Sequence, residues 1–322
     1  MMKNIIFSLM AVSVFALCSC EEDFDPYGDL RNKYILNCVI NNDTTTQFAT
    51  ISKSYLVESS NPASYTEDPA VTGAEIVISF DDSAAVFGEE MVEREDVSRY
   101  PNPASVYSTH NLKTEANKEY RLSALLPDGK RMRASTIAPP PVQFNITGSD
   151  TLIPPVEKDW VAVYWEIPRQ DLYVASVFKV YYFKKENGVN VRYEKRVPVK
   201  YVQQGDEYIP HFPEPSYANM IYAEMNAFTR ALQEISEGDP DKENYKILAF
   251  ILEIRVYDEN MTSYYAAQRE VSESFTLKVD ESDYTNIEGG FGIFGSYCLQ
   301  RKAVKFSHAY IESFGYIPGL TE

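Results

Sequence analysis

Three histidines, His110, His211 and His308, are all the imidazole in this 322-residue chain. None stands in an H-x-x-x-H or H-E-x-x-H spacing, which removes the usual helical zinc-hydrolase arrangement. No G-x-S-x-G elbow is present, so the common serine-esterase signature is missing. No Walker-type or G-x-G-x-x-G loop opens a helix after a strand, and with it goes the usual phosphate cradle. Positive charge is also short: 30 Lys+Arg face 47 Asp+Glu, a formal charge of −17. Such a surface repels phosphate backbones and anionic headgroups, which argues against nucleic acid as a partner. Asp239-x-Asp241-x-Glu243 begins like a calcium loop but has Asn244 where that loop needs Gly and Phe250 where it needs Glu; it reads as a solvated turn. The acidic residues from Asp81 to Asp96 are scattered rather than paired. We expect the segment 86–100 to be a long polar loop and a candidate contact surface. No catalytic residue, metal ligand or cofactor is expected.

What is present begins at the N-terminus. Lys3 precedes an uncharged, mostly apolar run from Ile5 to Leu17. That run is too short to span a bilayer and has the length of a signal-peptide core. Leu17-Cys18-Ser19-Cys20 resembles the bacterial lipobox, with an aliphatic residue three positions before the modified cysteine. Residues 1–19 are therefore expected to be removed and Cys20 to carry lipid. Glu21, Glu22 and Asp23 resemble the surface-export signal of Bacteroidota lipoproteins, and the polar stretch 20–32 reads as a short tether. Lys3 is the one charge in the removed segment, so maturation leaves the chain slightly more acidic. The expected address is the outer membrane, lipid-anchored and facing the cell surface.

Cys38 and Cys298 remain. An exported location permits a disulfide between them, and their separation in sequence does not establish one. Asp43-Thr44-Thr45, Asp82-Ser83-Ala84 and Asp150-Thr151-Leu152 resemble the O-glycosylation acceptor sequence of exported Bacteroidota proteins. They point to Thr44, Ser83 and Thr151, all in expected loops.

The body of the chain reads as mainly β, in two tandem β-sandwiches of immunoglobulin or fibronectin type III character. Strands are expected at Tyr34–Ile40, Gln47–Val57 and Ala74–Phe80, where Ile76, Ile78 and Phe80 alternate with the residues between them. Glu119–Ile137 reads as a hairpin around Pro127-Asp128-Gly129. Pro139-Pro140-Pro141 cannot continue a ladder, so the first sandwich is placed at 33–138 and the second at 139–322. In the second, strands are expected at Val161–Ile167, Ser176–Lys184, Asn190–Val199 and Lys246–Tyr257, with Asn187-Gly188 as a hairpin turn. Ile221, Met225, Phe228, Leu232 and Ile235 recur at spacings of four and three. That predicts one amphipathic helix near 217–237, stopped by Gly238-Asp239-Pro240.

Near the C-terminus stands Asn286-Ile-Glu-Gly-Gly-Phe-Gly-Ile-Phe-Gly-Ser-Tyr297, with four glycines among aromatic residues. Together with the lipobox, the strand Tyr34–Ile40, Leu126-Pro-Asp-Gly-Lys130 and Ile254-Arg-Val-Tyr-Asp258 before Tyr264-Tyr265, it resembles a Bacteroidota lipoprotein family called domain of unknown function 4249. The resemblance spans most of the mature chain. It implies a surface accessory protein, because members are often encoded beside TonB-dependent outer-membrane receptors. No catalytic residue carries over. The expectation is a non-catalytic binding or accessory protein associated with such a nutrient receptor; a structural or adhesive, fimbria-like surface protein is the alternative.

Overall fold

The computed structural model describes residues 33–55, 66–100, 102–145, 147–273 and 284–319. The chain there is mainly β. Its first part forms β1 (Tyr34–Asn41), β2 (Gln47–Lys53), β3 (Glu75–Phe80), β4 (Ser83–Val92), β5 (Ala104–Thr109), β6 (Glu119–Leu125) and β7 (Arg131–Ile137). Period-two patterning sets the inward face: β1 buries Tyr34, Leu36, Cys38 and Ile40, and β6 buries Tyr120, Leu122 and Ala124. The β6–β7 hairpin closes on Pro127-Asp128-Gly129, where Gly129 takes φ +84°. The segment 86–100, expected as a loop, is a strand in its first half. β4 carries Glu89 exposed and Glu90 half-buried while Ala85 and Phe87 are buried, and it pairs with β3 and β5. Counting carboxylates hid the alternation that Ala85 and Phe87 begin.

Beyond the prolines come β8 (Gln143–Asn145), β9 (Leu152–Ile153), β10 (Trp160–Glu166), β11 (Val174–Glu186) and β12 (Val189–Val197). Asn187 and Gly188 join the last two with φ of +51° and +83°, the positive values that a tight hairpin turn demands. An exposed hairpin of β13 (Lys200–Gln204) and β14 (Glu207–His211) follows, then β15 (Met220–Glu224). The helix, α1, covers only Met225–Ile235 and buries Ala227, Phe228, Ala231 and Leu232. It is shorter than the expected 217–237, because Ile221 is buried by strand alternation in β15, not by a helical face. A hydrophobic four residues before Met225 fits either period, and pairing with β10 decided for the strand.

β16 (Tyr245–Tyr257), α2 (Glu259–Glu273), β17 (Phe291–Phe306), α3 (His308–Glu312) and β18 (Ile317–Pro318) complete the described chain. The long sheet runs in the order β12-β11-β16-β17-β1-β2-β5-β4-β3-β6-β7, and a separate sheet runs β15-β10-β8. Two main cores result. One holds Leu36, Ile76, Tyr107, Tyr120, Leu122 and Met132; the other holds Trp165, Phe178, Phe228, Phe250, Leu252 and Phe306.

β17 belongs to both, which corrects the division at the prolines. Its Phe291–Tyr297 half pairs in parallel with β1, and Phe294 and the preceding Ile287 sit in the first core. Its Tyr297–Val304 half pairs antiparallel with β16, and Cys298, Val304 and Phe306 sit in the second. The prolines mark where the chain leaves the first core, but residues 287–297 return to it.

Candidate functional site at the seam between the cores

Where β16 ends, Asp258 turns inward beneath the start of α2. It occupies the N-cap position, and its Oδ1 accepts the Met261 amide at 2.7 Å. Its Oδ2 accepts the Ser296 amide at 2.6 Å, the Ser296 hydroxyl at 3.0 Å, and the Thr136 hydroxyl. One carboxylate therefore ties β7, β17 and α2 together. Burial pushes its pKa up to about 6, while the bonds from Met261, Thr136 and Ser296 pull it back down. Four donors engage its two oxygens, three on Oδ2 and one on Oδ1, so the group works as a clamp between these elements.

A cavity of about 200 Å³ lies beside it, lined among others by Asn117, Ser135, Pro139, Arg169, Asp258 and Asn260. Arg169, in its lining, bridges Asp171 and Glu259. A second cavity of about 200 Å³ opens on the far side of the proline run, lined by Asn42, Thr114, Pro139, Pro141, Cys298 and Gln300 among others. The Gln300 Oε1 is buried there without a protein donor.

A charged cluster braces the long sheet. The Glu253 carboxylate, on a side chain 1 % exposed, meets Arg301 Nε at 2.9 Å, Lys179 at 3.2 Å and Arg255 at 3.4 Å. Arg301 also binds Asp43, and this pairing holds the Asp43 carboxyl below its usual range. A buried carboxylate needs such partners, and here three cations supply them.

The residues singled out in the sequence do not converge. Cys20, Glu21, Glu22 and Asp23 lie outside the described residues. Thr44, Ser83 and Thr151 are exposed: Thr44 in the β1–β2 turn, Ser83 at the start of β4, Thr151 just before β9. Cys38 and Cys298 are free and buried, which corrects the open pairing. Cys38 lies opposite Phe294 in the β1–β17 register, four residues from Cys298. That is about 13 Å of strand, and a disulfide tolerates less than about 7 Å between Cα atoms. The two thiols also belong to different cores. Reductant is thus expected to leave the melting temperature unchanged, and Cys38, 1 % exposed, to react with a thiol reagent only after unfolding. A reductant-sensitive melt would contradict the register. His110 contacts the Thr46 hydroxyl at 3.1 Å, and no group of three metal-ligating side chains forms among the described residues.

Sequence reasoning missed α2 and, with it, the role of Asp258. An acidic residue at the end of a strand, three before Met261, is an N-cap signal. Comparison with curated proteins finds no match. The model of one family, Domain of unknown function (DUF4249), matches residues 21–302, from the expected tether through most of β17. The chain belongs to that family.

Proposed function

We propose that this protein is a lipid-anchored, surface-facing outer-membrane protein that acts by binding, as a non-catalytic accessory of a TonB-dependent nutrient receptor. The lipobox ending at Cys20 and the acidic run Glu21–Asp23 support the address. The carrying observation for binding is the contrast between Asp258 and the outward face of the β15-β10-β8 sheet. The deepest cleft-lining carboxylate has both oxygens engaged, while Trp160, Tyr164, Met220 and Tyr222 stand exposed on that face. Exposed clustered aromatics mark interaction surfaces more than reaction centres. In this reading each core is a sandwich-like pair of β layers, with Trp165 as the buried anchor of the second. Exposed Thr44, Ser83 and Thr151 are its glycan acceptors.

Mild crosslinking of intact cells followed by purification of the full chain is expected to recover an outer-membrane receptor barrel. Repeated recovery without one counts against the accessory role. A structural or adhesive role draws on the β13–β14 hairpin. Every residue there except Tyr201 is exposed, and the hairpin forms a two-stranded sheet of its own. Open edges are a route to strand addition. That role requires polymers on the cell surface, and a purely monomeric, non-adherent product would sink it.

A further inference from the structure

β10 and β15 pair Trp160 with Glu224, Ala162 with Tyr222 and Tyr164 with Met220. Alternation places these six side chains on one face, opposite the core residues Val161, Val163, Trp165, Ile221 and Ala223. Trp160, Tyr164, Met220 and Tyr222 keep 36 to 48 % of their surface exposed, whereas Ala162 between them keeps 4 %. The larger side chains close over the alanine and form one contiguous apolar surface. The Trp160 and Tyr222 rings stack at 5.6 Å with 27° between their planes.

The rim of this surface is acidic. Glu166 and Glu224 lie on the same face, and Glu157 and Asp159 lead into Trp160. None of the four is in an ion pair among the described residues, and Glu224 makes no capping bond to α1 that would occupy its carboxylate. One neighbouring cation, Lys158, is held by Asp150 at 3.0 Å, and Lys200 follows Val199, whose carbonyl accepts the Glu224 amide. Aromatic faces and unpaired carboxylates attract the same ligand charge. A guanidinium or ammonium is drawn to the ring quadrupole and to the carboxylate, while its aliphatic stem covers the apolar surface.

We propose that this face docks a basic polypeptide segment of a partner protein. An arginine or lysine stem would lie across Trp160 and Tyr222, with its charged head reaching Glu224 or Glu166. Arginine suits the site better, because its planar group both stacks and binds a carboxylate in two places. This deepens the binding role proposed above by naming the partner's chemistry.

The test titrates three probes into the full chain in neutral detergent. They are a peptide of alternating arginine and glycine, the same peptide with glutamate for arginine, and maltohexaose. Calorimetry gives the affinity. Tryptophan emission gives the place, because the chain has two tryptophans and Trp165 is 2 % exposed. The arginine peptide is expected to bind and shift the emission, and the glutamate peptide to do neither. Trp160→Ala and Glu224→Gln should each weaken binding by about tenfold. Glu90→Gln, on β4 of the other core, should leave it unchanged. Binding that ignores Trp160→Ala would reveal mere attraction to an acidic protein and overturn the proposal. So would an emission shift from maltohexaose alone, which would make the face a sugar platform. Peptide binding that obeys these variants, with no receptor recovered by crosslinking, upholds the docking face and discards only the receptor.

Discussion

Replacing Asp258 by asparagine is expected to lower the unfolding free energy by about 3 kcal/mol at neutral pH. The amide fits the volume but not the bonding. Oδ2 receives the Ser296 amide and two hydroxyls, and Oδ1 receives the Met261 amide. An NH₂ group in place of Oδ2 faces a backbone N–H that cannot reverse its polarity. Thr136→Val removes one of the four donors and should cost about 1 kcal/mol. The pH dependence gives a second signature. Burial raises the folded pKa of Asp258 to about 6 from an unfolded value near 3.8, so the native state holds this proton more tightly. The stabilisation from that proton is fully present below the unfolded pKa and is lost as pH rises through about 6. Its size is on the order of 3 kcal/mol. Asp258→Asn lacks this dependence, so the gap between wild type and variant should widen as pH falls from 7 to 5. Urea unfolding at the two pH values measures it. A gap that stays constant would mean the carboxylate is not buried as described.

Replacing Gly292 by alanine should be as damaging, at about 3–5 kcal/mol. Gly292 has φ +103° and lies directly opposite Leu36 in the parallel β1–β17 pair. A Cβ there falls on the Leu36 carbonyl, 2.8 Å from its carbon and 2.9 Å from the Leu36 amide nitrogen. β1 cannot retreat, because β2 pairs with its other edge. Gly129 is the control. It has φ +84° but nothing within 4 Å of its would-be Cβ, so Gly129→Ala pays only the backbone strain, about 1 kcal/mol. Thermal melts of the two variants separate close approach from backbone conformation. Equal losses would mean that β1 and β17 do not meet in this register.

The strands that were legible in the sequence share a feature: their pattern is local. Ile76 and Ile78 alternate on their own, and Asn187-Gly188 needs only its flanking arms to close a hairpin. The long-range partners left no comparable trace. The glycines of 289–295 announced a close approach without saying to what: Gly292 meets Leu36 of β1, more than 250 residues earlier, while Gly289 meets Arg131 of β7 and Gly295 meets Met261 of α2. The two cysteines looked pairable because distance in sequence says nothing about which core each faces. Ile221 was assigned to a helix because its spacing to Met225 satisfies helical periodicity as well as a strand that ends there.

The aromatic face was invisible for a related reason. Trp160, Tyr164, Met220 and Tyr222 sit on two strands some 60 residues apart and become one surface only when β10 and β15 pair. Asp258 likewise became a clamp only when Thr136 and Ser296 reached it from other strands. By itself, the sequence determined what covalent neighbours decide: the turn chemistry and the β character of most segments. Tertiary structure alone decided that one strand serves both cores and which exposed side chains stand together. Those outcomes depend on register between distant segments, and a local pattern carries no record of its partner.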